Sequence, residues 1–249
     1  MRKLFSLIEF ESRLALEDKL VFLYTLIFPA AYFLVVSWNN FAAGDRLSDS
    51  DIASNLFGFW GYIMMFGVIN QMTMVIFQMR ENNFLKMYTF IAGDKRLIYY
   101  ANLIPQTIIL QVEIALFNLL AVVIYRPNSQ LLQLMGACWL MNFLIIPIVA
   151  FFTSVILIMP LKLKTISLFL TGYVLAALLL ASFSFHSSVL TAILTLINPV
   201  DFQQNAYLLL VNHAHFLGNI LMLTVIGLIY VILGNVIIAK MSLASRTSR

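Results

Sequence analysis

FHSSVLTAILTLINPVDFQQNAYLLLVNHAH, residues 185–215, decides how many times this chain crosses a membrane. It is apolar on both sides of a polar break, so it reads either as a seventh spanning helix or as a segment left outside the bilayer. A hydrocarbon core about 30 Å thick takes about 20 apolar residues of helix. The apolar core 189–197 supplies nine. Asn198 then ends it, because the residue before a proline is pushed out of helical geometry. Charge gives the same answer. With six spans and the N-terminus inside, 13 of the 15 basic residues fall on the inner side and only Arg46 and Arg126 on the outer. A seventh span would carry the basic C-terminus to the wrong side, against the Lys and Arg excess of cytoplasmic loops.

The remainder of the chain agrees with a membrane solvent. It has 249 residues, is 62% hydrophobic and 10% charged, and has a mean hydropathy of +0.94. Soluble domains are about 45–50% apolar. Residues 20–44, 52–79, 127–161, 165–200 and 202–239 carry no Asp, Glu, Lys or Arg, and 97–125 carries only Glu113. Six spans follow, at 20–38, 54–79, 97–125, 131–159, 165–184 and 216–239, in an all-α membrane protein with one transmembrane domain over 1–249. The segment 185–215 is expected to form two short external helices dipping into the outer interface, where irregular backbone must lie against protein or line a water-filled cavity.

Residues 1–20 are not read as a cleaved signal, because Glu9, Glu11, Glu17 and Asp18 interrupt any apolar core. On a 3.6-residue period Arg2, Ser6, Glu9, Arg13 and Glu17 share one side, while Leu4, Phe5, Leu7, Ile8, Leu14 and Ala15 cover most of the other. This predicts an interfacial helix over 1–18, lying along the membrane before the first span.

Most catalytic patterns are missing. No G-x-x-x-x-G-K-[ST] run cradles a phosphate, so the chain is read as a non-enzyme with no nucleotide site of its own. Cys138, beside Trp139, reads as a packing residue. His213 and His215 lack a third metal ligand nearby. Ser184, His186, Ser187 and Ser188 hold the atoms of a hydrolase, but no spacing ties a nucleophile to a base and an acid. No metal, cofactor or nucleic-acid site is expected.

Glu113 stands apart, since a carboxylate at the centre of a spanning helix costs several kcal/mol, about 2.5–3.5 on insertion scales. It should not face lipid. With Gln106 and Asn118 it forms a polar seam on span three, facing Asn70 and Gln71 on span two or Asn142 on span four. The seam is either a packing hydrogen bond, the lining of a transport path, or a proton site of a secondary transporter. Phe57, Phe59, Trp60 and Tyr62 cluster near the outer end of span two, as an interfacial aromatic belt or as a surface for hydrophobic cargo.

Between spans two and three lies RENNFLKMYTFIAGDKR, residues 80–96, with six of the chain's 26 charged residues. Asn82 can cap a short cytoplasmic helix that Gly93 breaks, carrying Phe84, Leu85, Lys86, Met87, Tyr88, Phe90 and Ile91. Such an apolar cluster marks a membrane surface or a protein partner.

The layout resembles the transmembrane subunits of ABC-2 type exporters, the type V fold of ABC transporters. The likeness rests on the six spans, an amphipathic helix running into span one through Pro29, Arg80 and Glu81 opening the loop after span two, and the Asn198, Pro199 pair in the external segment. The family's usual Gly-Thr-Leu is replaced here by Asn83, Phe84 and Leu85, and Gly93-Asp94 stands where a proline often sits. The resemblance implies a permease in the bacterial inner membrane, both termini cytoplasmic, paired with a second permease subunit as a homo- or heterodimer. A separate cytoplasmic P-loop ATPase subunit would carry ATP and Mg. Phe84, Leu85, Lys86, Met87 and Tyr88 would form the coupling seat, with Arg80 and Glu81 anchoring it to the interfacial helix and Lys162 and Lys164 as a second contact. Spans two and five would line the path, with Asn70, Gln71, Glu113 and Tyr173, and spans one and five would form the dimer face. Drugs or amphipathic peptides are the expected cargo, with lipid-linked polysaccharide as an alternative.

Overall fold

A computed structural model describes residues 2–17, 22–44, 47–159, 162–183, 188–211 and 216–243. In chain order these form α1 (Arg2–Glu17), α2 (Leu23–Ala43), α3 (Asp49–Glu81), α4 (Phe84–Ala92), α5 (Lys95–Tyr125), α6 (Ser129–Ile158), α7 (Leu163–Ala181), α8 (Ser188–Ile197), α9 (Pro199–Val211) and α10 (Phe216–Lys240). Among the described residues every element is helical. Six are long and apolar enough to cross a membrane, namely α2, α3, α5, α6, α7 and α10, and they make this a multi-pass membrane protein. The first two spans differ most from the sequence reading. α2 runs five residues past 38 and α3 begins five before 54, because apolar content marks the hydrocarbon-facing length while caps set the helix ends. The expected start of span one at residue 20, and Ser184, His186, Ser187, His213 and His215, lie outside the described residues.

The caps are local and legible. α2 stops at Gly44, whose φ of +77° suits glycine. Ser48 and Asp51 close a capping box on α3, each side chain accepting from the other's backbone N–H. Asp94 and Asn128 accept from Arg96 N and Leu131 N to start α5 and α6.

The core is built around α3, whose Leu56, Ile63, Met64, Met65 and Val68 are wholly buried. Spanning helices gain little from excluding lipid, so small residues that allow close approach decide their contacts. Gly67 of α3 is pressed against Leu110 of α5; a Cβ there would stand 2.1 Å from Leu110 Cδ2. Gly234 of α10 likewise meets Phe151 of α6, where a Cβ would stand 2.6 Å from the Phe151 carbonyl oxygen.

The segment 188–211 breaks at Asn198, as expected, and its second helix is buried among the spans. α9 packs between α3, α6, α7 and α10 and buries Val200, Phe202, Gln203 and Tyr207. Two of its buried side chains reach α6 through a short relay: Tyr207 Oη donates to Asn142 Oδ1 (2.6 Å) and Gln203 Nε2 donates to Tyr207 Oη. Asn198 serves twice, accepting from Val200 N (3.0 Å) at the start of α9 and donating to Ala177 O (2.8 Å) of α7. Trp60 and Phe57 pack on Tyr207 from α3, so these two of the four clustered aromatics are core rather than belt.

Candidate functional site

Two regions bring chemistry-bearing residues together, one at α4 and one between α1, α3 and α5. α4 begins after a sharp reversal, with Asn83 at φ +61°. Asn82 does not cap it; that residue closes α3, and its N–H bonds back to Gln78 O (2.9 Å). Leu85 and Ala92 are buried against the bundle, and Tyr88 is half-buried with its ring 5.9 Å from that of Phe10 on α1. Leu85 and Tyr88 therefore hold the helix in place. The free face is Phe84, Met87, Phe90 and Ile91, with Phe90 92% exposed, and Lys86 beside it. Met87, Phe90 and Ile91 of this face, with Lys86, Asn83 and Leu243, border an open groove of about 540 Å³.

Arg80 is buried, at 1% exposure, and among the described residues its hydrogen bonds beyond its neighbour Glu81 run to the end of α6. Its Nη1 donates to Leu157 O (2.5 Å) and its Nη2 to Met159 O (3.4 Å), the free carbonyls where α6 ends. Its guanidinium also pairs with Glu81 (3.1 Å) and lies 4.2 Å from the centroid of the Phe77 ring. This placement has a simple reason: a buried guanidinium needs acceptors, and the unpaired end of a helix supplies them at fixed positions. Lys162 and Lys164 are exposed at the start of α7, just beyond that anchored end.

The second region is a cleft of about 640 Å³. Glu113 is buried, at 0% exposure, so it avoids lipid as required. Of its possible partners the structure selects Gln71, whose Nε2 donates to Glu113 Oε1 (3.2 Å), and Thr25 stands against the same carboxylate. Asn142 is engaged by Tyr207, and Asn118 accepts from Trp60 Nε1 (2.7 Å), so neither extends the seam. Gln106 lines the cleft. Asn70 instead faces α7, across a small gap beside Ser167 and Thr171, and Tyr173 is a strut donating to Ile197 O (2.7 Å). The four expected path residues are thus divided: Gln71 and Glu113 meet, and Asn70 and Tyr173 do not join them.

Both partners of Glu113 come from π turns, Leu23–Ile27 in α2 and Val68–Thr73 in α3. π geometry is held by well under 1% of residues and is frequent at functional sites. The first has a local cause, because the Pro29 ring would collide with the carbonyl four residues back. The second contains no proline and follows Gly67. Two independent widenings that aim a polar side chain at one carboxylate make Glu113 the centre of the site.

Glu11 was not among the expected site residues. It is 3% exposed, lines the same cleft and accepts from Asn102 Nδ2 (3.2 Å) of α5. Burial pushes its carboxyl above the usual carboxylate range, and the Asn102 bond offsets part of that. The signal was present in the sequence. At 100° per residue Glu11 stands about 200° from Glu9, in the middle of the apolar side with Leu7, Ile8, Leu14 and Ala15.

The chain matches no family model, no curated protein and no solved structure, so its function has to be read from its own residues.

Proposed function

We propose that this chain is the membrane-spanning subunit of an ATP-driven exporter, seated through α4 on a separate cytoplasmic P-loop ATPase that carries ATP and Mg. The observation that supports this reading is the outward face of α4. Four large apolar side chains project from a short helix whose other side is fixed by Leu85, Ala92 and the Tyr88 ring. Exposed apolar clusters of this kind mark interaction sites. Arg80 sets the joint beside it, fastening the ends of α3 and α6 together. A motion applied to α4 is then passed to two spans rather than absorbed by a loose loop. A second permease subunit would complete the assembly in the bacterial inner membrane, and a hydrophobic or amphipathic drug or peptide is the proposed cargo.

The test is gentle purification of the tagged full chain from its native membrane, with mass spectrometry of what stays bound. A P-loop ATPase in near-equal amount, released by Phe90→Asp while the variant remains folded by size-exclusion chromatography, supports the reading. A chain that emerges alone even after crosslinking, or a Phe90→Asp chain that keeps its ATPase, sinks it and leaves α4 as a membrane-surface helix.

A second reading, a secondary transporter using Glu113, draws on the two π turns around that carboxylate. It requires transport that continues without ATP, follows a proton gradient and fails in Glu113→Gln.

A further inference from the structure

From the cleft between α1, α3 and α5 we infer a binding site for a lipophilic organic cation, an ammonium on an apolar body, held by Glu113 at the inner end and Glu11 at the side. Both carboxylates line the same space, and among the described residues that line it none is basic. Two buried acceptors there lack partners. Glu113 Oε2 and Gln71 Oε1 receive no hydrogen bond among the described residues, although Glu113 is 0% and Gln71 5% exposed. Such atoms are costly when left unmade, and an ammonium has three donors and no acceptor, which is the complement they need.

The remaining features choose between kinds of cation. Among the described residues no group of three or more His, Cys, Asp or Glu could hold a metal ion. The cleft is of the size that holds drug-like ligands, about 300–1,000 Å³, and not of a single ion. Its walls away from the carboxylates are Leu14, Phe22, Val75, Ile108 and Val112, apolar surface for the body of an amine. Ile108 and Val112 are half exposed on α5, so the cleft opens sideways on a spanning helix. An amphipathic amine dissolved in the bilayer enters there, its charge meeting Glu11 on α1 first and passing along the polar strip to Glu113. Asn102 and Gln106 complete a polar strip from Glu11 toward Glu113.

Binding needs no ATPase subunit, so this inference and the export reading stand or fall separately. Only the step from ligand to cargo rests on the export reading. The test uses the purified full chain in lipid nanodiscs and dansylcadaverine, a primary ammonium joined to an environment-sensitive apolar fluorophore. Saturable binding with a blue-shifted emission is expected. Capping the amine by N-acetylation should weaken binding at least about tenfold, as should Glu113→Gln or Glu11→Gln, since a charge-assisted contact is lost in each case. Glu9→Gln, on the opposite side of α1, should leave it unchanged. Ile108→Trp keeps both carboxylates and narrows the mouth from an exposed position, so it should also weaken binding even if a Gln variant misfolds. The inference is overturned if the acetylated probe binds as tightly as the amine, or if folded Glu113→Gln or Ile108→Trp keeps full affinity. It also falls if sodium chloride displaces the probe where potassium chloride at equal ionic strength does not, because the site then selects a small inorganic ion.

Discussion

Replacing Arg80 with methionine keeps the length of the side chain and removes its charge. The native guanidinium makes a short bond to Leu157 O (2.5 Å), a longer one to Met159 O (3.4 Å) and an ion pair with Glu81 (3.1 Å), all at 1% exposure. Breaking a buried pair by removing one partner costs about 3–5 kcal/mol. The Glu81 side chain keeps 14% exposure and regains some hydration, which places Arg80→Met near the lower end, at about 3 kcal/mol. For a chain of this size each kcal/mol lowers Tm by about 2–4 °C, so the expected fall is about 6–12 °C. Thermal unfolding of the purified chain, followed by fluorescence-detected size exclusion, measures it. Glu81→Gln should cost less in the Arg80→Met background than alone, by about 1–2 kcal/mol, since the ion pair with Arg80 is already lost there. The reasoning is refuted if Arg80→Met melts within about 2 °C of the parent, or if Glu81→Gln costs the same in both backgrounds.

Gly234→Leu should be among the most damaging single changes, because the new side chain meets the Phe151 backbone and not a movable tip. Overpacking costs about 1–3 kcal/mol or more, readable as lost monodisperse protein, while Gly218→Leu, with open space around it, should be tolerated. Glu11 gives a pH dependence of known sign. Its folded-state pKa is raised, so the stability it contributes is full below the unfolded value of about 4.3 and is lost as pH rises through the higher folded value. Melting of the ligand-free chain should fall over that rise, and Glu11→Gln should flatten the profile; an identical profile in the variant would count against burial as the cause.

The six spans were readable because membrane length and charge placement act on whole segments, and errors of a few residues at the ends do not disturb them. Asn198 was readable for a local reason, the proline after it. Arg80 stands out in the sequence but its partners do not: its value as a cation near the end of α3 is local, whereas its carbonyl acceptors lie about 77 residues away at the end of α6. The burial of α9 was hidden in the same way, since its Gln203 and Tyr207 look polar until Asn142 stands beside them. Glu113 could be singled out by cost alone, and Gln71 was among the partners weighed. That Asn70 and Gln71 part was not readable, because neighbouring positions on a helix point about 100° apart and the π turn that holds both leaves no mark in composition.

Those π turns change how length is counted along α2 and α3. Removing a residue from an ordinary spanning helix turns everything beyond the cut by about 100° and brings lipid-facing side chains inside. A π turn already holds one residue more than the α register needs. Loss of one residue within Leu23–Ile27 or Val68–Thr73 would return the helix to plain α geometry with both flanking faces kept, and only the aim of Thr25 or Gln71 given up. Relatives of this chain that dispense with Glu113 are therefore expected to be one residue shorter at these two places, a difference that an alignment of their sequences would show directly.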